Sequence, residues 1–170
     1  TATVHIEVRE RPFLAYDDFA VTDEDTPVEI HLVGNDLASA DMIARIRVAS
    51  PTEGSIETVA APHTVRYTPP PDFVGTVTFT YFLVDSEGRQ SNTATVTILV
   101  NPVNDNPVAV DDTATVDGDS GDNEIDVLAN DFDVDGDVLT VLEVAEASNG
   151  SVALTDGVVT YRPNAGFVGT

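Results

Sequence analysis

Cysteine is missing from all 170 residues, so no disulfide, thiolate metal site or cysteine nucleophile can be part of this protein. Lysine is missing as well: the seven basic residues are all arginine, against 30 aspartates and glutamates, for a formal charge of -23. A surface this acidic repels phosphate backbones and anionic lipid, which argues against nucleic acid as a partner and points to cations. Long apolar runs are wanting too. The longest span a handful of residues, far short of a membrane crossing, and the opening TATVHIEV alternates instead of forming an apolar block behind a basic flank. Neither membrane insertion nor a signal peptide is expected in this stretch; a secreted protein would carry its signal outside it. Aromatic residues are sparse at 6%, which leaves no evident stacking platform for sugars.

Hydrophobic residues nevertheless make up 42%, enough for a packed core, and the sequence repeats itself. AYDDFAV at Ala15 returns as AVDDTAT at Ala109, VGND at Val33 as LAND at Leu128, and EGSI at Glu53 as NGSV at Asn149. VRYTPPPDFVGT, ending at Thr76, returns as VTYRPNAGFVGT, ending at Thr170, and all these offsets are 94 to 96 residues. A third fragment, TATVHIEV at Thr1, matches TATVTILV at Thr93. The expected organisation is therefore three pieces. Residues 1–10 are the last strand of a preceding repeat or a donated strand, 11–104 a complete repeat, and 105–170 a second repeat without the equivalents of VTFTYFLVDSEGRQSNTATVTILV.

Within the complete repeat the pattern has period two, in VEIHLV from Val28, RIRVA from Arg45, TVRY from Thr64, TVTFTYFLV from Thr76 and TATVTILV from Thr93. Val77, Phe79, Tyr81 and Leu83 fall on one face and are expected to bury it. Gly, Pro, Asn and Asp punctuate the runs, and no segment has helical periodicity. The predicted fold is all-β: tandem immunoglobulin-like or cadherin-like Greek-key β-sandwiches, each of two antiparallel sheets. Asn149-Gly150, between two alternating runs, reads as a hairpin turn before it reads as a glycosylation acceptor. Tyr67 and Tyr161 read as core or strand-end residues.

Two stretches carry chemistry. NPVNDNPVAVDD, from Asn101, crowds acids and carboxamides around a proline, and NDFDVDGDVLTV, from Asn130, places Asp131, Asp133, Asp135 and Asp137 at alternate positions with Gly136 allowing a tight turn. That is a dense supply of hard oxygen ligands of the kind calcium takes. An EF-hand is excluded, because the twelfth position is Leu142 and no helices flank the loop, so further ligands must come from elsewhere.

PVNDNPVA followed by DVDGD resembles the linker and following loop of cadherin-like repeats, of the tandem bacterial type found in large surface adhesins (RTX-adhesin extender repeats). ANDFDVDGDVLTV, NGSV, VTYRPNAGFVGT and FTYFLVDSEGRQSNTATVTILV extend the resemblance along nearly the whole chain. In such repeats calcium sits between consecutive domains, held by acids from the end of one, the linker and a loop of the next. The resemblance implies a site assembled from Glu24, Asp85, Glu87, Asn104, Asp105, Asn106, Asp133 and Asp135, with Asp111, Asp112 and Asp131 close by. It also implies an extracellular, cell-surface setting.

An internal comparison bears on the same reading. Ahead of the first repeat the linker is VRERPFLAYDD, and that repeat's loop is NDLASADMI, so both halves of the acidic pattern are degraded together. From Asp105 onward there are 15 acids and one base, Arg162. Two carboxylates about 5 Å apart repel by roughly 3 kcal/mol at an effective dielectric near 20, so several pairs would splay a junction without a cation.

Nothing points to catalysis: His5, His31 and His63 are scattered, and neither a nucleophile elbow nor a phosphate-cradling loop is present. The expected function is non-enzymatic, an extender repeat whose partners are adjacent repeats of the same chain and whose stiffness calcium sets. The alternative is a filament subunit, in which residues 1–8 pair with another copy.

Overall fold

The computed structural model describes residues 3–7, 12–38 and 40–170, with Ala40 as backbone alone. It divides into two compact units, Thr1–Val103 and Asn104–Thr170.

In unit 1 the period-two runs become strands whose inward residues meet in one core. One sheet has the order β1 (Asp18–Asp23), β7 (Ala94–Asn101), β6 (Gly75–Asp85), β3 (Ile43–Val48). The other has the order β2 (Val28–His31), β5 (Thr64–Thr68), β4 (Ser55–Thr58). Val77, Phe79, Tyr81 and Leu83 of β6 are buried as expected, opposite Ala94, Val96, Ile98 and Val100 of β7; Ile30, Leu32, Val65 and Tyr67 complete the core. A single 3-10 turn, Ala40–Met42, is the only helical segment among the described residues. Residues 3–7 are exposed and form no strand. Thr1, Ala2 and Val8–Arg11, on which part of the expected extra strand and of the first linker falls, lie outside the described residues.

Two expectations need correction. The first sheet is not wholly antiparallel, because β1 runs parallel to β7, with Asp18 opposite Val96 and Asp23 opposite Asn101. A hairpin can join only antiparallel neighbours, whereas β1 and β7 are separated by five strands divided between the two sheets. Nor is Asn149-Gly150 a hairpin between strands. In unit 2, β8 (Asn123–Ile125), β10 (Val158–Pro163) and β9 (Gly150–Thr155) form one sheet, and Gly150 opens β9 after a segment that pairs with nothing among the described residues. The two-residue hairpin is Asp156-Gly157, both at positive φ (52° and 84°), joining Thr155 to Val158. Gly150 is required for space: a Cβ there would overlap the Tyr161 ring and the Arg162 carbonyl. Gly54 has the same relation to Tyr67 and the Thr68 carbonyl, which accounts for the repeated Gly-Ser.

The Tyr81 hydroxyl, buried, donates to the Leu32 carbonyl at 2.6 Å, with both oxygens of Asp36 3.2 Å away. Burial raises the carboxyl pKa of Asp18 and of Asp36, and for Asp18 the neighbouring Asp36 and Asp17 charges add to it. A carboxyl whose folded pKa is raised contributes stability that is complete below its unfolded value and is lost as pH rises through the folded one. Unit 1 should therefore gain stability as the solution is acidified from neutral pH toward the ordinary carboxylate range. Calorimetric melts across that window should show the gain in the wild type and a flatter profile in Asp36→Asn, which keeps an acceptor for the Tyr16 amide but cannot ionise.

Candidate metal centre

Both units use one local device to fasten their N-terminal segment. In unit 1 the Tyr16 N–H donates to Asp36 Oδ1 at 2.7 Å, and the Asn35 side-chain amide donates to the Asp17 carbonyl at 2.9 Å. In unit 2 the Val110 N–H donates to Asp131 Oδ1 at 2.8 Å, and the Asn130 side-chain amide donates to the Asp111 carbonyl at 3.2 Å. An isolated bridge accompanies each, Leu14 with Leu37 and Val108 with Phe132. The Asn-Asp pair is thus a clip that orients the start of each unit, and Asp131 and Asp111 have the same places in it as Asp36 and Asp17.

Beyond the clip the units diverge. Asp133 Oδ1 accepts the backbone N–H groups of Asp135 and Asp137 at 2.9 and 3.3 Å, and the Gly136 N–H donates to the Asp133 carbonyl at 3.2 Å. Gly136 sits at φ 81°, a conformation that favours glycine. The linker folds onto this turn: the Asp105 N–H donates to Asp135 Oδ2 at 2.7 Å, and the Asn104 side-chain amide donates to the Asp105 carbonyl at 2.7 Å. Asn104, Asp105, Asn106, Asp131, Asp133 and Asp137 all line one hollow of about 410 Å³. Arg162, the single basic residue after Asp105, is 2.8 Å from Asp122. Carboxylates and carboxamides, without nitrogen or sulfur ligands, suit calcium by donor chemistry. Asp137 belongs to the alternating acids that the sequence offers as hard oxygen ligands, though not to the set that the resemblance implies.

Asp85 and Glu87 do not join this group. They occupy the turn after β6, and the register Gly75 to Val100 and Tyr81 to Ala94 puts that turn at the opposite end of unit 1 from Asn101–Val103, where the chain leaves. The ten steps from Gly75 to Asp85 amount to about 33 Å of strand. Asp85 is also occupied. Its Oδ1 accepts the N–H groups of Glu87 and Arg89 at 3.0 and 2.8 Å, and its Oδ2 accepts from Arg89 Nε at 3.0 Å. Against a desolvation that would raise it, these donors hold the Asp85 carboxyl below the usual range. Glu24, in contrast, lies at the exit end of unit 1, buried, with its N–H on the Asn101 carbonyl at 2.9 Å and its Oε1 accepting the Val103 N–H at 2.6 Å.

The sandwich of unit 1, the clip common to both units and the repeated sequence have a counterpart among known families: the bacterial Ig domain matches residues 10–99 and again 104–170. The chain belongs to this family. Bacterial Ig domains are generally non-enzymatic, and the two matched segments account for most of the chain. Among curated proteins, integrin beta-like protein E of Dictyostelium discoideum is 34% identical over 85 residues, 49% of the chain. Integrin beta-like protein C of the same organism is 31% identical over 96 residues, 56% of the chain. The matched regions are only 4% and 5% of those two proteins. Among solved structures, an endo-fucoidan hydrolase of glycoside hydrolase family 107 overlaps 91% of the chain and 24% of its own, at 17% identity; its TM-score of 0.37 carries no argument about function.

The clip of these bacterial Ig domains acts through hydrogen bonds, and in unit 1, where its acid is Asp36, its loss should be independent of divalent ions. Asp36→Ala should speed amide exchange at Tyr16, and Asp131→Ala at Val110. Each loss should be worth about 0.5 to 1.5 kcal/mol, the net value of an ordinary hydrogen bond, and at Tyr16 it should be the same in calcium and in chelator. Exchange monitored by NMR in both buffers checks it.

Proposed function

We propose that this pair of bacterial Ig domains is a non-enzymatic structural segment of an extracellular, cell-surface protein of the adhesin class, and that calcium at the start of unit 2 sets its stiffness. The observation that carries this reading is the docking of the linker on the acidic turn, Asp105 N–H on Asp135 Oδ2, beside a hollow lined by five further carboxyl or carboxamide side chains, Asn104, Asn106, Asp131, Asp133 and Asp137. A divalent ion there would be held by Asp105, Asp133, Asp135 and Asp137, with Asn104 or Asn106 contributing carboxamide oxygen. Binding would neutralise acids that otherwise repel one another and would fix the linker on unit 2. The partners are then adjacent repeats of one chain, and calcium is the only cofactor. Sequence likeness to two integrin beta-like proteins supports the extracellular setting.

Calorimetric titration of the 170-residue chain with calcium, paired with small-angle scattering, tests the proposal. Binding in the range of about 0.1 to 1 mM is expected, typical of extracellular modules, together with a longer and stiffer particle in calcium than in chelator. Asp133→Ala with Asp135→Ala should abolish both effects. Absence of heat and of any change in scattering would leave the acids as a solvated face.

A second reading, pairing between copies, rests on a different observation. Val4 and Ile6 are 80% and 81% exposed, whereas their counterparts in the matching stretch of β7, Val96 and Ile98, are wholly buried. Residues 3–7 of one copy would then serve as a β7-like strand beside the Ala114–Asp117 stretch of another. Light scattering across a concentration series should show association that Val4→Asp with Ile6→Asp removes. A monomer throughout would exclude it.

A further inference from the structure

Superposing the clips sets the two units in register, Asp36-Leu37 on Asp131-Phe132 and Leu14 on Val108. In that register Ala38 stands where unit 2 has Asp133, Ala40 where it has Asp135, and Met42 where it has Asp137. Ala38 is buried and Met42 packs against the core, so apolar side chains fill the place of the acidic turn. Phe13 replaces Pro107 one residue before the bridge and is 7% exposed.

A cation is nevertheless present at this end of unit 1. The Arg89 guanidinium lies over the Phe13 ring, 5.1 Å from its centroid, while its Nε holds Asp85 Oδ2 at 3.0 Å. Asp85 is in turn fixed by the amides of Glu87 and Arg89, and its side chain is only 10% exposed. An ordinary surface ion pair contributes little, because two long side chains must be ordered in high dielectric. Here one partner is rigid and shielded, and the guanidinium also covers an aromatic face, an arrangement in which attraction to the ring quadrupole adds to the ion pair.

We infer that Arg89 is the built-in cation of unit 1: its guanidinium ties the turn after β6 to Phe13 and so closes the N-terminal end of this unit without a metal. The chain then contains two kinds of leading end, one fastened by a side chain and one that takes calcium. Only the second half of that contrast rests on the function proposed above; the role of Arg89 stands on unit 1 alone.

Hydrogen exchange of the wild-type chain in calcium and in chelator, read at the paired Leu14 and Leu37 amides, tests it. Protection at both should be the same in the two buffers. Arg89→Gln should lower it about tenfold, and the double variant with Phe13→Leu should lose less than the sum of the two single losses, because the contact between guanidinium and ring is common to both. Exchange at Asp135 and Asp137 reports unit 2 separately, so a failure of calcium binding there is distinguishable from a failure of the Arg89 clamp. Arg89→Gln with unchanged protection at Leu14 and Leu37, or wild-type protection there that falls in chelator, would overturn the inference.

Discussion

The inward face of β7 is the constraint on which unit 1 depends. Ala94, Val96, Ile98 and Val100 are buried in a row, β1 pairs along one edge and β6 along the other. Because β1 can join only in the parallel sense, the direction of β7 decides where the chain enters and leaves the unit. Glu24, one residue past β1, is thereby carried to the exit at Val103, and the Asp85 turn to the opposite end. The distribution of acids between the two ends follows from strand direction.

A second constraint is that a carboxylate beside exposed backbone amides is drawn into hydrogen bonding with them. Asp17, Asp36, Asp85, Asp131 and Asp133 each accept at least one backbone N–H. In a chain without lysine these acids are not waiting for basic partners; several of them are the pins of turns and clips. The acidic count therefore overstates the number of side chains free for a cation. What distinguishes the hollow of unit 2 is the convergence of linker and turn on one another.

Much of this was legible in the residues. Alternation named the strands of unit 1 and the buried face of β6, because a strand with one face in the core must alternate. Repetition at 94 to 96 residues exposed the tandem plan, and the alternating aspartates marked the acidic turn. The parallel pairing of β1 was not legible, since it depends on how five intervening strands are shared between two sheets. The Asn149-Gly150 turn misled for a related reason: its sequence suits a hairpin, but the glycine is needed to admit the Tyr161 ring. Asp85 and Glu87 were placed by resemblance at an end of the unit that their strand does not reach. Arg89 carried no signal at all, its partners Phe13 and Asp85 being distant or ordinary in sequence.

By itself, then, the sequence determined composition-level facts and periodic ones: an all-β fold, a tandem repeat, an acidic linker and turn, and the absence of any thiol or lysine chemistry. These depend on residue type and local spacing, which a chain carries before it folds. Tertiary structure alone decided which acids meet, which are occupied by backbone amides, and that an arginine stands over Phe13 at the start of unit 1. Those outcomes depend on strand direction and register, which arise only when distant segments compete to bury the same core.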